Sequence, residues 1–241
     1  MFLLKPFYPF FSVIDVDAQR EATHFKNRVL DLVDIFIKKQ SSSPLILRLI
    51  SPLIELIAGS GQDERQLSDK AKGILRTRIG KAKETPSQAD LEEVRFVAGN
   101  LHTRARKTAS SDFLGILSQS SLYVSKILVN LEDENSVIDM YRESLVDFVT
   151  RKNSHLNATY FNEFFQRFPA QSWTLRTALL DLASKAVNAY RQSQVLQLLQ
   201  RLAPVMVRNA ICSPSICLKS QQTRVNVRRR RWSSYRCCGN F

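Results

Sequence analysis

Ser43-Pro44-Leu45-Ile46-Leu47-Arg48-Leu49-Ile50-Ser51-Pro52-Leu53-Ile54-Glu55-Leu56-Ile57 is the stretch on which the fold turns. Ser43 reads as an N-cap and Pro44 as a first helical residue, where a missing N–H costs nothing. The following positions are apolar on nearly every side, and Pro52 interrupts the hydrogen-bond ladder from within, predicting a kink. A helix apolar all round is one buried on both sides. That places it inside a stack of helix pairs rather than on the rim of a bundle, as in solenoids of the HEAT and armadillo kind. A compact irregular bundle is the competing arrangement.

Helical spacing continues on both sides of this stretch. From Ala18 to Lys39 the apolar stripe is Phe25, Val29, Leu32, Val33, Phe36 and Ile37. Downstream, a helix from about Asp63 to Ile79 carries Leu67, Ala71, Ile74, Leu75 and Ile79, and closes at Gly80. Ser87-x-x-Asp90 resembles a capping box for the next helix, with Leu91, Val94, Val97 or Ala98, and Leu101. Asp112–Leu131, a helix after the acidic turn Glu132–Asn135, an aromatic helix with Tyr160, Phe161, Phe164, Phe165 and Phe168, and closing helices Ser172–Tyr190 and Ser193–Val207 complete the series. The fold class is all-α: a solenoid of degenerate helix pairs across residues 16–208 with irregular ends, since no strict period shows.

The charge is unevenly distributed. Of 35 Lys and Arg and 22 Asp and Glu in 241 residues, the 24 basic residues up to Asp181 face all 22 acids. The remaining 11 basic residues follow Asp181 with no acid among them, so the net charge of +13 belongs mostly to the tail. Cys212, Cys217, Cys237 and Cys238 lie there too, at spacings unsuited to zinc. No apolar run reaches the roughly 18 residues of a spanning helix. Residues 1–15 lack a cleavage site and are broken by Pro6 and Pro9, so secretion is not indicated. Residues 209–241, with the run Arg228–Arg231, read as a disordered basic arm or localisation patch. The abrupt loss of pattern at both ends also fits sequence foreign to the domain, and that is the reading favoured for each.

Asp17–Asp34, with its Phe-Lys-x-Arg-Val-Leu-Asp-Leu block, joined to Lys38-Lys39-Gln40-Ser41-Ser42-Ser43-Pro44-Leu45 and continued by Leu67–Lys81, resembles the C-terminal half of the DNA polymerase V proteins of fungi. These are the counterparts of the animal Myb-binding protein 1A family, also called DNA polymerase phi. The likeness runs from about Val16 to Val207. It implies an armadillo-like nucleolar protein of the nucleus, tied to ribosomal DNA transcription and ribosome assembly, with nucleolar proteins or transcription factors as partners. This chain would be a fragment of such a protein. The family name also raises a second function, part of a DNA-directed DNA polymerase.

The residues give that second function little support. A nucleotidyl transferase needs carboxylates converging on paired Mg²⁺ ions, usually presented from strands. Asp15-Val16-Asp17 is a bare D-x-D with no third carboxylate in a comparable setting, and no Gly-rich phosphate loop occurs. His24, His102 and His155 stand apart from one another and read as surface or packing histidines. No cofactor or metal site is indicated. Two basic clusters are the candidate nucleic-acid contacts: Lys70, Lys72, Arg76, Arg78, Lys81 and Lys83, and Arg95, Arg104, Arg106 and Lys107. A solvated outer face is the competing reading of both, because Asp69, Glu84, Glu92 and Glu93 dilute the field.

Overall fold

The computed structural model describes residues 10–61, 64–86 and 88–211, with side chains from Ala18 to Pro204. Met1–Pro9, Ser87 and the cysteine-rich tail lie outside the described residues. Among the described residues ten α-helices follow one another: α1 Phe10–Lys39, α2 Leu45–Gly59, α3 Arg65–Ile74, α4 Leu91–Lys107, α5 Ser111–Asn130, α6 Glu134–Thr150, α7 Ala158–Arg167, α8 Pro169–Thr174, α9 Arg176–Ser184 and α10 Ala189–Ile211. A π-helical turn, Leu75–Ile79, extends α3. The described residues include no strand.

The helices form two layers. In one, α2 packs on α4, α4 on α6, and α6 on α8 and α9. In the other, α1 packs on α3 and its π turn, the turn on α5, α5 on α7, and α7 on α10. Antiparallel neighbours α2/α3, α4/α5 and α9/α10 join the layers. Helices of the first layer start at residues 45, 91, 134 and 176, each 46, 43 and 42 residues after the last. Those of the second start at 65, 111 and 158, spaced by 46 and 47. A period hidden in the letters is therefore plain in the elements. It matches the roughly 40–47 residues of HEAT and armadillo units and exceeds the 34 of a tetratricopeptide unit.

Burial corrects the reading of α2. One stripe is covered, Ile46, Leu47, Ile50, Leu53, Ile54 and Ile57, while Leu45 is exposed and Pro52 faces solvent. The helix runs unbroken past Pro52; on that side water can hydrate the carbonyl of Arg48, which a proline leaves without its amide donor. The helix buried on both sides is α5, which hides Leu114, Ile116, Leu117, Leu122, Val124, Ile127 and Leu128 together with Ser118, Ser120, Ser121 and Ser125. A period reading scores those serines as polar and so misses the second face.

Boundaries moved for local reasons. The Ser43 hydroxyl does accept from an amide, that of Leu45 at 3.4 Å, but Pro44 occupies the cap position. Asp90 itself caps α4, its carboxylate accepting from the Glu92 N–H at 3.3 Å, so the helix starts one residue after the expected capping box ends. Ser110 caps α5 and Asn157 caps α7 in the same manner. Gly80 closes the π turn with φ −62°, a right-handed conformation open to any residue. Its lack of a side chain serves proximity instead: a Cβ there would lie 3.2 Å from the Gln119 Cβ of α5. The expected Ser172–Tyr190 helix breaks at Leu175 and again after Ser184, giving α8 and α9. At the other end α1 begins at Phe10, so the backbone through Asp15-Val16-Asp17 is helical, and the strand presentation asked of a D-x-D is absent.

Candidate nucleic-acid interface

Seven of the ten candidate cations are answered by carboxylates. Lys70 Nζ lies 2.7 Å from Asp31 of α1 and also donates to the Asn27 carbonyl at 2.9 Å. Arg78 forks onto both oxygens of Asp34 at 2.6 and 3.0 Å. Arg76 bonds Asp112 at the start of α5, and Lys72 approaches the same carboxylate at 3.4 Å. Arg95 meets Asp133 at 2.7 Å and Glu92 at 2.8 Å. Arg104 reaches Glu55 of α2 at 3.2 Å, and Arg106 reaches Glu143 of α6 at 3.1 Å. Hydrogen bonds from Arg78, Arg76 and Arg95, respectively, are the main reason Asp34, Asp112 and Asp133 hold their protons less tightly than usual.

These pairs follow a rule. Lys70-Ala71-Lys72, Arg76-Thr77-Arg78 and Arg104-Ala105-Arg106 are doublets of cations two residues apart. Such residues lie about 200° apart around a helix axis, so each doublet straddles its level of the stack. Lys70, Arg78 and Arg104 reach back to α1 or α2, while Lys72, Arg76 and Arg106 reach forward to α5 or α6. Between them sits a wholly buried Ala71 or Ala105, or the exposed Thr77, whose hydroxyl bonds the Gly73 carbonyl at 2.7 Å. What reads in sequence as two basic clusters is, in space, the fastening between consecutive levels.

Lys81, Lys83 and Lys107 remain, all exposed and with no ion pair among the described residues. The loop holding the first two gains cations that the spacing of the basic residues does not reveal. Lys126 of α5 donates to the Lys83 carbonyl at 2.5 Å, and Arg167 of α7 donates to the Gly80 carbonyl at 3.4 Å. Both are far from the loop in sequence, so no local signal joins them. Two carboxylates temper the positive charge nearby: Glu84, which accepts from Ser41, and Glu163, which accepts from Ser118 and Gln119.

A polar seam crosses the core between α4, α6 and α7. His102 is buried, with Nδ1 3.0 Å from both the Ser144 hydroxyl and the Tyr160 hydroxyl. Its ring stands edge-on to Tyr141 at 4.7 Å, and Tyr141 stacks on Phe164 at 3.7 Å. Burial pushes the imidazole down to about 3, so it is neutral; burial likewise raises the Tyr160 and Tyr141 hydroxyls. The Tyr160–Phe168 aromatics, all buried, line this core. Among the described residues no three His, Cys, Asp or Glu gather to hold a metal ion, and no helix is long and apolar enough to cross a membrane.

Comparison with known proteins gives these features a family. The chain is 27% identical over 193 residues to the zebrafish Myb-binding protein 1A-like protein, covering 70% of this chain and 15% of the relative. It is 26% identical over 145 residues to the fission yeast rDNA transcriptional regulator pol5, covering 60% and 15%, and 24% identical over 211 residues to mouse Myb-binding protein 1A, covering 73% and 16%. It thus spans about a sixth of the length of the curated relatives it matches. No solved structure matches it. The family model for Myb-binding protein 1A-like TPR repeats matches residues 40–205, from the end of α1 into α10, and the chain belongs to that family.

Proposed function

We propose that this chain is one module of a nucleolar helical-repeat scaffold serving ribosomal DNA transcription and ribosome production. It holds protein partners, transcription factors among them, along the surfaces of its stack, and performs no catalysis. The observation that carries the proposal is where the polar side chains go. The carboxylates paired by the basic clusters (Asp31, Asp34, Glu55, Asp112, Asp133 and Glu143) are spread along the stack, each held against a cation of a neighbouring level. A transferase site would need several of them converging on one place. Two relatives carry names that speak of Myb binding and of rDNA transcriptional regulation, which is the direction this reading takes.

Contact with ribosomal DNA, on this proposal, is electrostatic and secondary. It falls to Lys81, Lys83 and Lys107, the candidate cations without a carboxylate, joined by Lys126 and Arg167, with the other seven candidates engaged only where a phosphate displaces their acid. The test is chromatin immunoprecipitation of a tagged chain in yeast cells, read beside its fluorescence relative to a nucleolar marker. Enrichment over the ribosomal RNA genes with nucleolar accumulation is expected. A diffuse signal with no enrichment would sink the proposal, and template-dependent nucleotide incorporation by the purified chain would replace it with the polymerase reading.

A further inference from the structure

The first helix is half of a pair. In the two-layer stack α1 occupies the layer of α3, α5, α7 and α10, and each of those four is preceded in the chain by a helix of the opposite layer. No such helix precedes α1 among the described residues. The outer surface of α1 shows the consequence. Leu30 and Ile37 are buried against the stack, whereas Phe25 and Leu32 are 69% and 67% exposed, with Val29 and Ile35 at 40% and 48%. Phe25, Val29 and Leu32 fall at i, i+4 and i+7, which is the stripe a packed helix presents to a neighbour. Inside the stack the stripes of α2 and α4 are covered, although single apolar residues such as Phe96 stand exposed.

Charge follows the same division. Lys26, Asp31 and Asp34 of α1 all point forward, to Glu64, Lys70 and Arg78. Glu21 and Arg28 have no ion pair among the described residues. The interior levels of α3 and α4 use charges in both directions; these three charges of α1 all reach the same way. One repeat spacing of 42 to 46 residues before Leu45 falls at or before residue 3, so α1 itself cannot supply the missing helix.

We infer that the exposed stripe of α1 is the seat of a further helix pair of the same repeat kind, apolar on its facing side and supplied by the polypeptide that precedes this segment in the longer proteins of the family. The surface lies at the end of a stack whose interior levels meet in the same layers, α2 on α4 and the π turn on α5. The relatives, of which this chain spans about 15%, have the length to provide it. The inference does not depend on the ribosomal reading, since it concerns only how the stack continues.

The probe is a synthetic peptide of the roughly 45 residues preceding the matched segment in the zebrafish relative, one repeat long by the spacing seen here. It is added to the full chain, and amide hydrogen exchange is followed along α1. Residues 25–36 should exchange at least about tenfold more slowly with the peptide than without it. The Phe25→Asp/Leu32→Asp double variant should abolish that protection while its helicity stays unchanged, because both side chains are exposed. A scrambled peptide should do nothing. Absence of protection, or protection that survives the double variant, overturns the inference. So does a dimer of the chain alone that the double variant dissolves, for then the occupant is a second copy.

Discussion

Nδ1 of His102 shows how one buried atom ties stability to pH. Ser144 donates to the Met140 carbonyl at 3.0 Å, which leaves its oxygen free to accept from the ring. What opposes a second proton on the imidazole is burial, aided by the positive charge of Arg106. The folded imidazole titrates near 3 and the unfolded one near 6.5. Between those values the unfolded chain binds a proton that the fold refuses, so stability rises with pH across the window and falls as pH drops below 6.5. The limit is about 1.4 kcal/mol per pH unit. Urea unfolding at pH 7 and pH 5 should show a loss of about 2 kcal/mol that largely vanishes in His102→Phe, although that variant starts from a lower stability. Asp34, Asp112 and Asp133 do not blur this comparison: their depressed pKa values keep their contribution intact until the pH falls below 3.8. An equal loss in both proteins would remove His102 from the account. Residue scale also decides the polyanion question. In a chain ending near residue 208, Lys81→Ala/Lys83→Ala should flatten the dependence of log affinity for duplex DNA on log salt by about 0.9 for each phosphate no longer neutralised, while Lys72→Ala/Arg76→Ala should leave it nearly unchanged. The reverse order would mean that DNA displaces Asp112.

Glycines separate what an element needs from what it tolerates. Gly115 of α5 is exposed and a Cβ there meets nothing within 4 Å, so Gly115→Ala should stabilise the chain by roughly 0.5–1 kcal/mol. Gly80→Ala brings a Cβ to 3.1 Å from the Arg76 carbonyl and 3.2 Å from Gln119, and should cost about 1–3 kcal/mol by prising the π turn from α5. Thermal unfolding of the two variants checks both signs at once. Much at this scale was legible in the letters. The stripes of α3 and α4 appear where spacing puts them, because one covered face and one solvated face leave a clear period, whereas the nearly all-round apolar α2 covers one face only. The double burial of α5 was not legible, since Ser118, Ser120, Ser121 and Ser125 break its apolar count while still going inside. Nor was the fate of α1: Phe25 and Leu32 read alike whether a neighbour covers them or not. The ten candidate cations were visible as residues, but the carboxylates that answer seven of them lie 36 to 49 positions away, beyond any pairing within one helix.

At the scale of the molecule, stability is a sum over neighbouring levels rather than a property of one core. Among the described residues the middle of the stack, α4 to α7, has neighbours on both sides, and α1 and α10 have them on one. Amide exchange should therefore be slowest in α5 and α6 and quicken toward both ends; uniform protection would indicate a single cooperative unit instead. The family's name speaks of TPR repeats, yet spacings of 42 to 47 residues between equivalent helices place this segment nearer the HEAT and armadillo geometry.

The cation doublets then become a ruler. Lys70 and Lys72 find their acids 39 residues before and 40 after, at Asp31 and Asp112. Arg106 finds its acid 37 after, and Arg104 finds one 49 before. A basic-x-basic doublet of this kind, with an acid about one repeat away on each side, is something a chain can be scanned for when its apolar spelling has drifted beyond alignment. It marks where one storey ends and which storeys are interior. In proteins several times longer than this segment, such a scan would number the floors without a structure of any of them.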